Sequence, residues 1–154
     1  MHAISAVIHW QRQSAVFTDN RYSRAHIWHL DGGAVIPASS SPHVVPIPLS
    51  DPSAIDPEEA FVASLSSCHM LWFLSLAANK GWVVDDYRDQ AQGTLARNEQ
   101  GQLAMTEVTL CPSVRFAGAC SPDSEQLLAL HEQAHAECFI AHSVKTLITI
   151  SPNT

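Results

Sequence analysis

The sequence predicts an α+β fold in which antiparallel strands pack on one long, buried helix. Residues 3–11 alternate apolar and polar side chains, which is typical of a half-buried strand. Residues 60–78 are apolar on most sides, as a central helix requires. The predicted order is three strands, a loop, a helix, two strands, a helix and a strand, which is an α+β pattern.

The N-terminal part contains a predicted hairpin followed by a loop. The segment RAHIWHLDGGAVIP has two apolar runs that turn at residues 31–33, where an Asp precedes two glycines. Residues 37–55 are rich in proline, which suits edges and extended loops. We expect this loop to be ordered, because four of its apolar side chains can pack: Val44, Val45, Ile47 and Leu49.

The long helix has a start signal and a stop signal. Asp56 is a good N-cap, Pro57 suits the first helical position, and Glu59 lies three residues after the cap. Gly81 is a fitting stop after the last turn.

The C-terminal half is predicted to contain strands over 83–96 and 102–116, joined by a turn at 98–101. SPDSEQLLALHEQAHAEC is a second helix capped by Ser121, and SVKTLITI is a last strand. No internal repeat interrupts the pattern, so residues 1–154 are predicted to form a single domain. The apolar stripe of the second helix comprises Leu127, Leu128, His131, Ala134, His135 and Cys138.

Composition excludes several functional classes. The net charge is −7 with eight Lys and Arg and no basic run, which disfavours nucleic-acid binding. The first residues, MHAISAVIHW, lack the features of a secretory signal, and polar residues interrupt the most apolar segment. We therefore expect a cytoplasmic protein with no membrane partner. A chain that is 46% hydrophobic and 15% charged also indicates apolar surface buried in a partner subunit.

The four cysteines have several possible roles. Structural disulfides are rare in the cytosol, so catalysis, redox chemistry, metal binding and plain burial remain. Cys111 and Cys120 are interpreted as incidental. Cys68 in the long helix and Cys138 on the second stripe each fit plain core packing, because free Cys is among the most buried residue types.

A metal site is one alternative. His131, His135 and Cys138 lie on one face of the second helix, and with Cys68 they would make a tetrahedral Cys2His2 set. The same residues fit a core stripe with two hydrogen-bonded histidines. A metal-binding protein therefore remains an alternative function.

Glu58 cannot touch Cys68 within one helix. It lies ten residues earlier, which places it about 15 Å away along the axis and about 80° around it. Alone, Glu58 complements the helix dipole. If both residues serve one site, an Arg must bridge them or another subunit must supply Glu58.

Four segments together resemble the OsmC/Ohr superfamily, the osmotically inducible protein C and organic hydroperoxide resistance proteins. DPEEAFVASLSSCHM looks like the family helix, in which nine residues separate Asp-Pro-Glu from a Cys. LHEQAHAECFIAHSVKT is similar to the second cysteine segment, GTLARNEQGQLAMTEVTLCPSVRF to the family hairpin, and YSRAHIWHLDGG to the arginine strand of an OsmC-like subgroup. The resemblance covers about residues 5–150.

The resemblance implies an OsmC-like fold, an intertwined homodimer with active sites at the subunit interface, and a thiol peroxidase that needs no cofactor, metal or flavin. By position, Cys68 would be the peroxidatic cysteine and Cys138 the resolving one. Glu58 would be the family glutamate and Arg24 the family arginine, with Arg21 as the second candidate.

The chemistry agrees with these residue types. Attack on a peroxide needs a thiolate, which a neighbouring Arg favours, and a Glu can orient that Arg. Cys68 would become a sulfenic acid and condense with Cys138 to a disulfide, which an external dithiol, a lipoylated protein in the family, would reduce. The residues around Cys68 suit an organic hydroperoxide, because they are apolar: Met70, Leu71, Trp72, Phe73 and Phe139.

Some features depart from the family pattern. CFIAHS lacks the Pro that follows the second Cys in the best-known members, and His142 replaces a typical Asn. His69 and His135 neighbour the two cysteines and fit either electrostatic tuning or core packing. A non-catalytic stress-response binding protein on the same scaffold is a further alternative.

Overall fold

The computed structural model describes residues 2–118 and 120–153. Residue contacts divide the chain into two compact units, Met1–Ala60 and Phe61–Thr154. The prediction of a single domain stays a prediction.

The first unit is built on a three-stranded antiparallel sheet, in the order β1-β2-β3. Its strands are β1 (Ala6–His9), β2 (His26–Leu30) and β3 (Val35–Ala38). The predicted turn after β2 is confirmed, and Gly33 adopts a φ of 88°, which favours glycine. All four residues of β1 are exposed in this chain, although its alternation predicts a half-buried strand.

The long helix α1 extends over Pro57–Asn79, close to the predicted limits. Asp56 Oδ1 accepts the Glu59 N–H at 2.8 Å, and the Glu59 carboxylate accepts the Asp56 N–H at 3.2 Å. This reciprocal pair is the capping box that the sequence indicates.

The second unit contains five strands in two sheets. They are β4 (Val83–Asp89), β5 (Gln92–Arg97), β6 (Leu103–Leu110), β7 (Pro112–Ala117) and β8 (Leu147–Ile150). β4 pairs with β7 antiparallel. In the order β5-β6-β8, the first pair is antiparallel and the last strand joins in parallel.

The prediction of two long strands in this half is therefore wrong in extent, because each predicted strand is two separate strands in the structure. One break lies between Asp89 and Gln92, and the other lies at Cys111. The two breaks meet where the Asp89 carboxylate accepts the Cys111 N–H at 2.6 Å. The chain changes sheets there, so an apolar run that reads as one strand contributes to two sheets.

The second predicted helix is α2 (Ser124–Glu137), and a short helix, α3 (Phe139–His142), follows it. The predicted cap at Ser121 is wrong, because Asp123 caps the helix. Asp123 Oδ1 accepts the Gln126 N–H at 2.8 Å, and Gln126 returns a bond to the Asp123 N–H. An Asp with a Gln three residues later can satisfy two helix-end groups at once, which Ser121 cannot do from its position.

The core lies around α1. One buried cluster joins α1 to α2 and comprises Phe73, Ala77, Leu130 and Ala134. A second joins α1 to β6 and comprises Leu65, Val108 and Leu110. The buried positions of α2 are Leu130, His131 and Ala134, whereas Leu128 of the predicted stripe is exposed.

Helix α1 is only partly covered within one chain. By length and composition alone it could cross a membrane, with a mean hydropathy of 1.5 over the most apolar window. Only 28% of that window is buried, and Leu71 is exposed. The central helix of a globular fold can have the same composition, so the predicted absence of a membrane partner stays a prediction.

Candidate active site

The two cysteines predicted to react together lie near each other in the structure. Cys68 lies on α1 and Cys138 at the junction of α2 and α3, seventy residues later in the chain. Both are free, and they are 7% and 1% exposed. The Cys68 thiol is one of the causes that raise the pKa of Cys138, so the two side chains are neighbours. Two buried free thiols that lie side by side can form a disulfide if their geometry allows.

Cys138 is held by the ends of two helices. It is the C-cap of α2, where its N–H donates to the His135 carbonyl at 3.2 Å. It is also the N-cap of α3, where its sulfur accepts the Ala141 N–H at 3.5 Å. The sequence predicts Cys138 as the last residue of a helical stripe, whereas the structure places it at a break between helices.

The two thiols are electrostatically distinct. Burial, followed by the neighbouring Cys68 thiol, raises the pKa of Cys138 to about 11. Cys138 therefore holds its proton at neutral pH.

Glu58 lies in the first turn of α1, where it complements the helix dipole. Its Oε2 is buried and has no hydrogen-bond partner among the residues that the structure describes. A buried carboxylate oxygen is costly without a hydrogen-bond donor. The described residues of this chain do not provide a donor for Glu58, so we expect one from outside them.

Arg24 precedes β2, and its guanidinium is engaged locally. It lies over the Tyr22 ring, 3.9 Å from the centroid, and donates to Asn20 Oδ1 at 2.9 Å. Within residues 2–118 and 120–153 the one ion pair joins Arg115 to Asp85. The pair expected between Arg24 and Glu58 is therefore not formed within one chain. The second candidate, Arg21, is exposed.

The alternative metal set is not assembled. Across the described part of the chain, no group of three or more His, Cys, Asp and Glu could hold a metal ion. His131 instead makes a hydrogen bond with His69, with 3.1 Å between Nδ1 of His131 and Nε2 of His69. The interpretation of Cys68, His131, His135 and Cys138 as ligands is wrong, because His131 has this other partner.

Sequence reasoning missed this histidine pair. His69 and His131 lie on apolar faces sixty-two residues apart, and only their burial would have signalled that each needs a partner. Burial lowers the pKa of both to about 4, with smaller contributions from His135 at His69 and from His69 at His131. Both imidazoles are neutral at pH 7.

Sequence reasoning also missed an anchor beneath α1. The Asp89 carboxylate accepts the Ser66 hydroxyl at 2.5 Å as well as the Cys111 N–H. Ser66 lies two residues before Cys68, so this bond ties the helix that carries Cys68 to the end of β4.

The apolar residues predicted to line the site around Cys68 differ in their exposure. Trp72 and Phe139 make an edge contact, with ring centroids 6.1 Å apart, and Phe139 is the more exposed of the two. Leu71 is also exposed, whereas Phe73 is fully buried and stacks on His131. Phe73 is therefore a core residue and not part of an accessible lining.

Comparison with known proteins agrees with this architecture. A family model described as OsmC-like protein matches residues 50–153. A solved OsmC-like protein of unknown function from Vibrio cholerae is 51% identical, with a TM-score of 0.98 over 99% of this chain and 100% of that chain. The chain belongs to the OsmC-like family.

The matched region of this OsmC-like protein includes Glu58, Cys68 and Cys138 but neither Arg24 nor Arg21. More distant solved structures share its fold. They include organic hydroperoxide resistance proteins from Elizabethkingia anophelis (16% identity, TM-score 0.71) and Bacillus subtilis (15%, 0.69), each covering 99% of this chain and 98% of its own. Among curated proteins, none matches the sequence.

Proposed function

We propose that this OsmC-like protein is a thiol peroxidase that reduces organic hydroperoxides to alcohols. The observation that carries the proposal is the proximity of the two buried, free thiols of Cys68 and Cys138. The names of the solved relatives from E. anophelis and B. subtilis, organic hydroperoxide resistance proteins, support the choice of substrate.

The reaction proceeds in three steps. The Cys68 thiolate attacks the O–O bond, takes one oxygen to become a sulfenic acid, and the alkoxide leaves as an alcohol after protonation. Cys138 attacks the sulfenic sulfur, and water leaves as the disulfide forms. An external dithiol, such as a lipoylated protein, then reduces the disulfide by exchange and is itself oxidised.

The difference between the thiols suits these roles. A nucleophile must ionise, whereas a resolving thiol that stays protonated can support it by donating a hydrogen bond. Cys138, with a pKa raised to about 11, fits the second role.

We propose that Arg24 and Glu58 complete the site across a homodimer interface. Among the residues that the structure describes, Glu58 Oε2 is buried without a donor and Arg24 has no carboxylate partner. A guanidinium between Glu58 and Cys68 would also bridge the 15 Å or so along α1 that separates them. The uncovered side of α1 supports a second subunit.

Substitution of the cysteines tests the function. Reduced protein is mixed with cumene hydroperoxide, and mass spectrometry follows the sulfenic acid and the disulfide. We expect Cys68→Ser to abolish peroxide reduction, and Cys138→Ser to stop after the sulfenic acid because the proposed resolving thiol is gone. Cys120→Ser is the control, since Cys120 is exposed and lies in a loop.

Two outcomes would contradict the peroxidase proposal. If Cys68→Ser still reduces peroxide, Cys68 is not the nucleophile. If the wild-type protein shows no turnover with any dithiol donor, the result favours the non-catalytic binding role instead. Equal rates with hydrogen peroxide and cumene hydroperoxide would contradict the preference for organic substrates.

A further inference from the structure

A buried hydrogen bond joins α1 to α2 beside the cysteine pair. It connects His69 Nε2 to His131 Nδ1 over 3.1 Å, and the two side chains are 1% and 2% exposed. The rings are nearly parallel, with an interplanar angle of 7°. Phe73 stacks on His131 with the ring centroids 4.5 Å apart. Packing and hydrogen bonding together hold both imidazoles in one orientation.

This contact and the neighbouring cysteines lie at different points along α2. His69 directly follows Cys68 on α1, whereas His131 precedes Cys138 by seven residues, about 10 Å along α2. The two helices pack side by side, because Phe73 of α1 also stacks on His131. The histidine bond therefore restricts rotation and sliding of α2 on α1 at a point about 10 Å from Cys138. Without it, the Cys138 end of α2 can shift relative to Cys68.

The apolar cluster between the helices does not supply the same constraint. Hydrophobic contacts are non-directional and tolerate sliding, whereas a hydrogen bond weakens steeply as its angle departs from linear. Filling the core with this histidine pair also costs free energy. His69 Nδ1 and His131 Nε2 are buried without a partner among the residues described, a cost that apolar side chains would avoid.

We propose that His69 and His131 are positioning residues for disulfide formation, because their hydrogen bond holds α2 at the position on α1 that keeps the Cys138 thiol near Cys68. The inference rests on the proposed function for the meaning of the disulfide, but disulfide formation can be measured without any peroxide. Disulfides accept a narrow range of Cα separations and Cβ directions.

Oxidation by diamide, a two-electron thiol oxidant, tests the pair. Diamide adds to one thiolate, and the second thiol then displaces the hydrazine product, so two electrons and two protons pass from the thiols to diamide as the S–S bond forms. The Cys111→Ser, Cys120→Ser background leaves Cys68 and Cys138 as the reacting thiols. Rapid quenching and mass spectrometry separate adduct formation from disulfide closure.

Three variants in this background are compared with their parent. His131→Leu removes the bonding nitrogen, and His131→Asn places an amide at the position of Nδ1. Glu132→Gln is the matched control, because Glu132 is the exposed neighbour of His131 on the same helix. We expect closure to slow at least about tenfold in His131→Leu, since a misplacement of about 1 Å can cost about 100-fold. His131→Asn should recover most of the rate, and adduct formation should not change.

The proposal is overturned if His131→Leu closes the disulfide at the parent rate. It is also overturned if His131→Asn is as slow as His131→Leu, because loss without rescue indicates core packing alone. If His131→Leu does not fold, His69→Leu and His69→Gln give the same comparison, since Gln keeps an amide at the position of Nε2. Closure with diamide but no reaction with cumene hydroperoxide would contradict the peroxidase proposal and leave the positioning role standing.

Discussion

At the scale of single residues, Cys138 combines a structural position with a chemical one. It ends α2 and begins α3, so its backbone is fixed by helix-end bonds on both sides. The same position buries its sulfur beside Cys68 and raises its pKa to about 11. The break between the helices therefore places the second thiol.

The proposed arginine can be tested at this scale. We expect Arg24→Ala to slow the oxidation of Cys68 by an organic hydroperoxide about 10- to 100-fold at pH 7, because a nearby guanidinium favours the thiolate. Stopped-flow kinetics of the reduced protein measure this first step.

Arg21→Ala is the matched control for that test, because Arg21 is a nearby exposed cation. Its rate should stay within about twofold of wild type if Arg24 alone favours the thiolate. If Arg21→Ala slows the oxidation of Cys68 more than Arg24→Ala does, the role belongs to Arg21. If neither change slows the oxidation, the arginine is removed from the proposed mechanism.

At the scale of elements, the buried histidine pair makes α1 and α2 sensitive to acid. The pKa of each imidazole is lowered from 6.5 to about 4, chiefly by burial. Groups with a lowered pKa in the folded state contribute stability that is fully present above pH 6.5 and is lost as the pH falls towards 4. Of the other titratable groups around the pair, His135 opposes protonation of His69 and Asp89 favours it, while the Tyr87 ring packs at a tilt against Phe73, which stacks on His131.

We therefore expect the free energy of unfolding to fall between pH 7 and pH 5 by about 2 kcal/mol for each histidine. Urea unfolding at the two pH values measures this change. The double variant His69→Leu, His131→Leu should lose less stability over the same interval. An equal loss in the variant would show that other groups cause the acid sensitivity.

The start of α2 gives a second test at this scale. Asp123→Ala should destabilise the protein by about 1 kcal/mol, because it removes the acceptor of the Gln126 N–H and breaks the capping box. Ser121→Ala is the control and should change stability by less than about 0.5 kcal/mol. Thermal or urea unfolding measures both, and the opposite ranking would place the cap at Ser121.

At the scale of the whole molecule, the exposed apolar side of α1 predicts self-association. Leu71 is 62% exposed in the middle of an apolar helix, and every residue of β1 is exposed in the first unit. Surfaces of this kind are typical of subunit interfaces.

We expect sedimentation or light scattering to find a dimer, and Leu71→Arg to shift it towards monomer. Leu128→Arg is the matched control, because Leu128 is 55% exposed but lies on α2 among charged residues. A monomeric wild type, or a dimer that Leu71→Arg leaves intact, would contradict an interface on α1. Loss of peroxide reduction together with the dimer would support active sites shared between subunits.

Much of the fold was predictable from the sequence, because its signals are local. The limits of α1 follow from Asp56, Glu59 and Gly81, whose side chains or backbone act within one turn of the helix ends. The first hairpin follows from its glycine turn and alternation. The cysteines and Glu58 were also identifiable as candidates, because motif spacing along a helix is a property of the sequence.

Other features depend on which distant segments meet, and only the tertiary structure decided these. The strands broke where Asp89 meets Cys111, and His131 paired with His69 rather than with a metal-ligand set. Residues with several possible partners, such as His and Cys, have their roles set by the partner that packing brings within hydrogen-bond distance. By itself the sequence determined the family, the central helix and the candidate thiols, and the packing of α2 against α1 decided that the two thiols lie near each other.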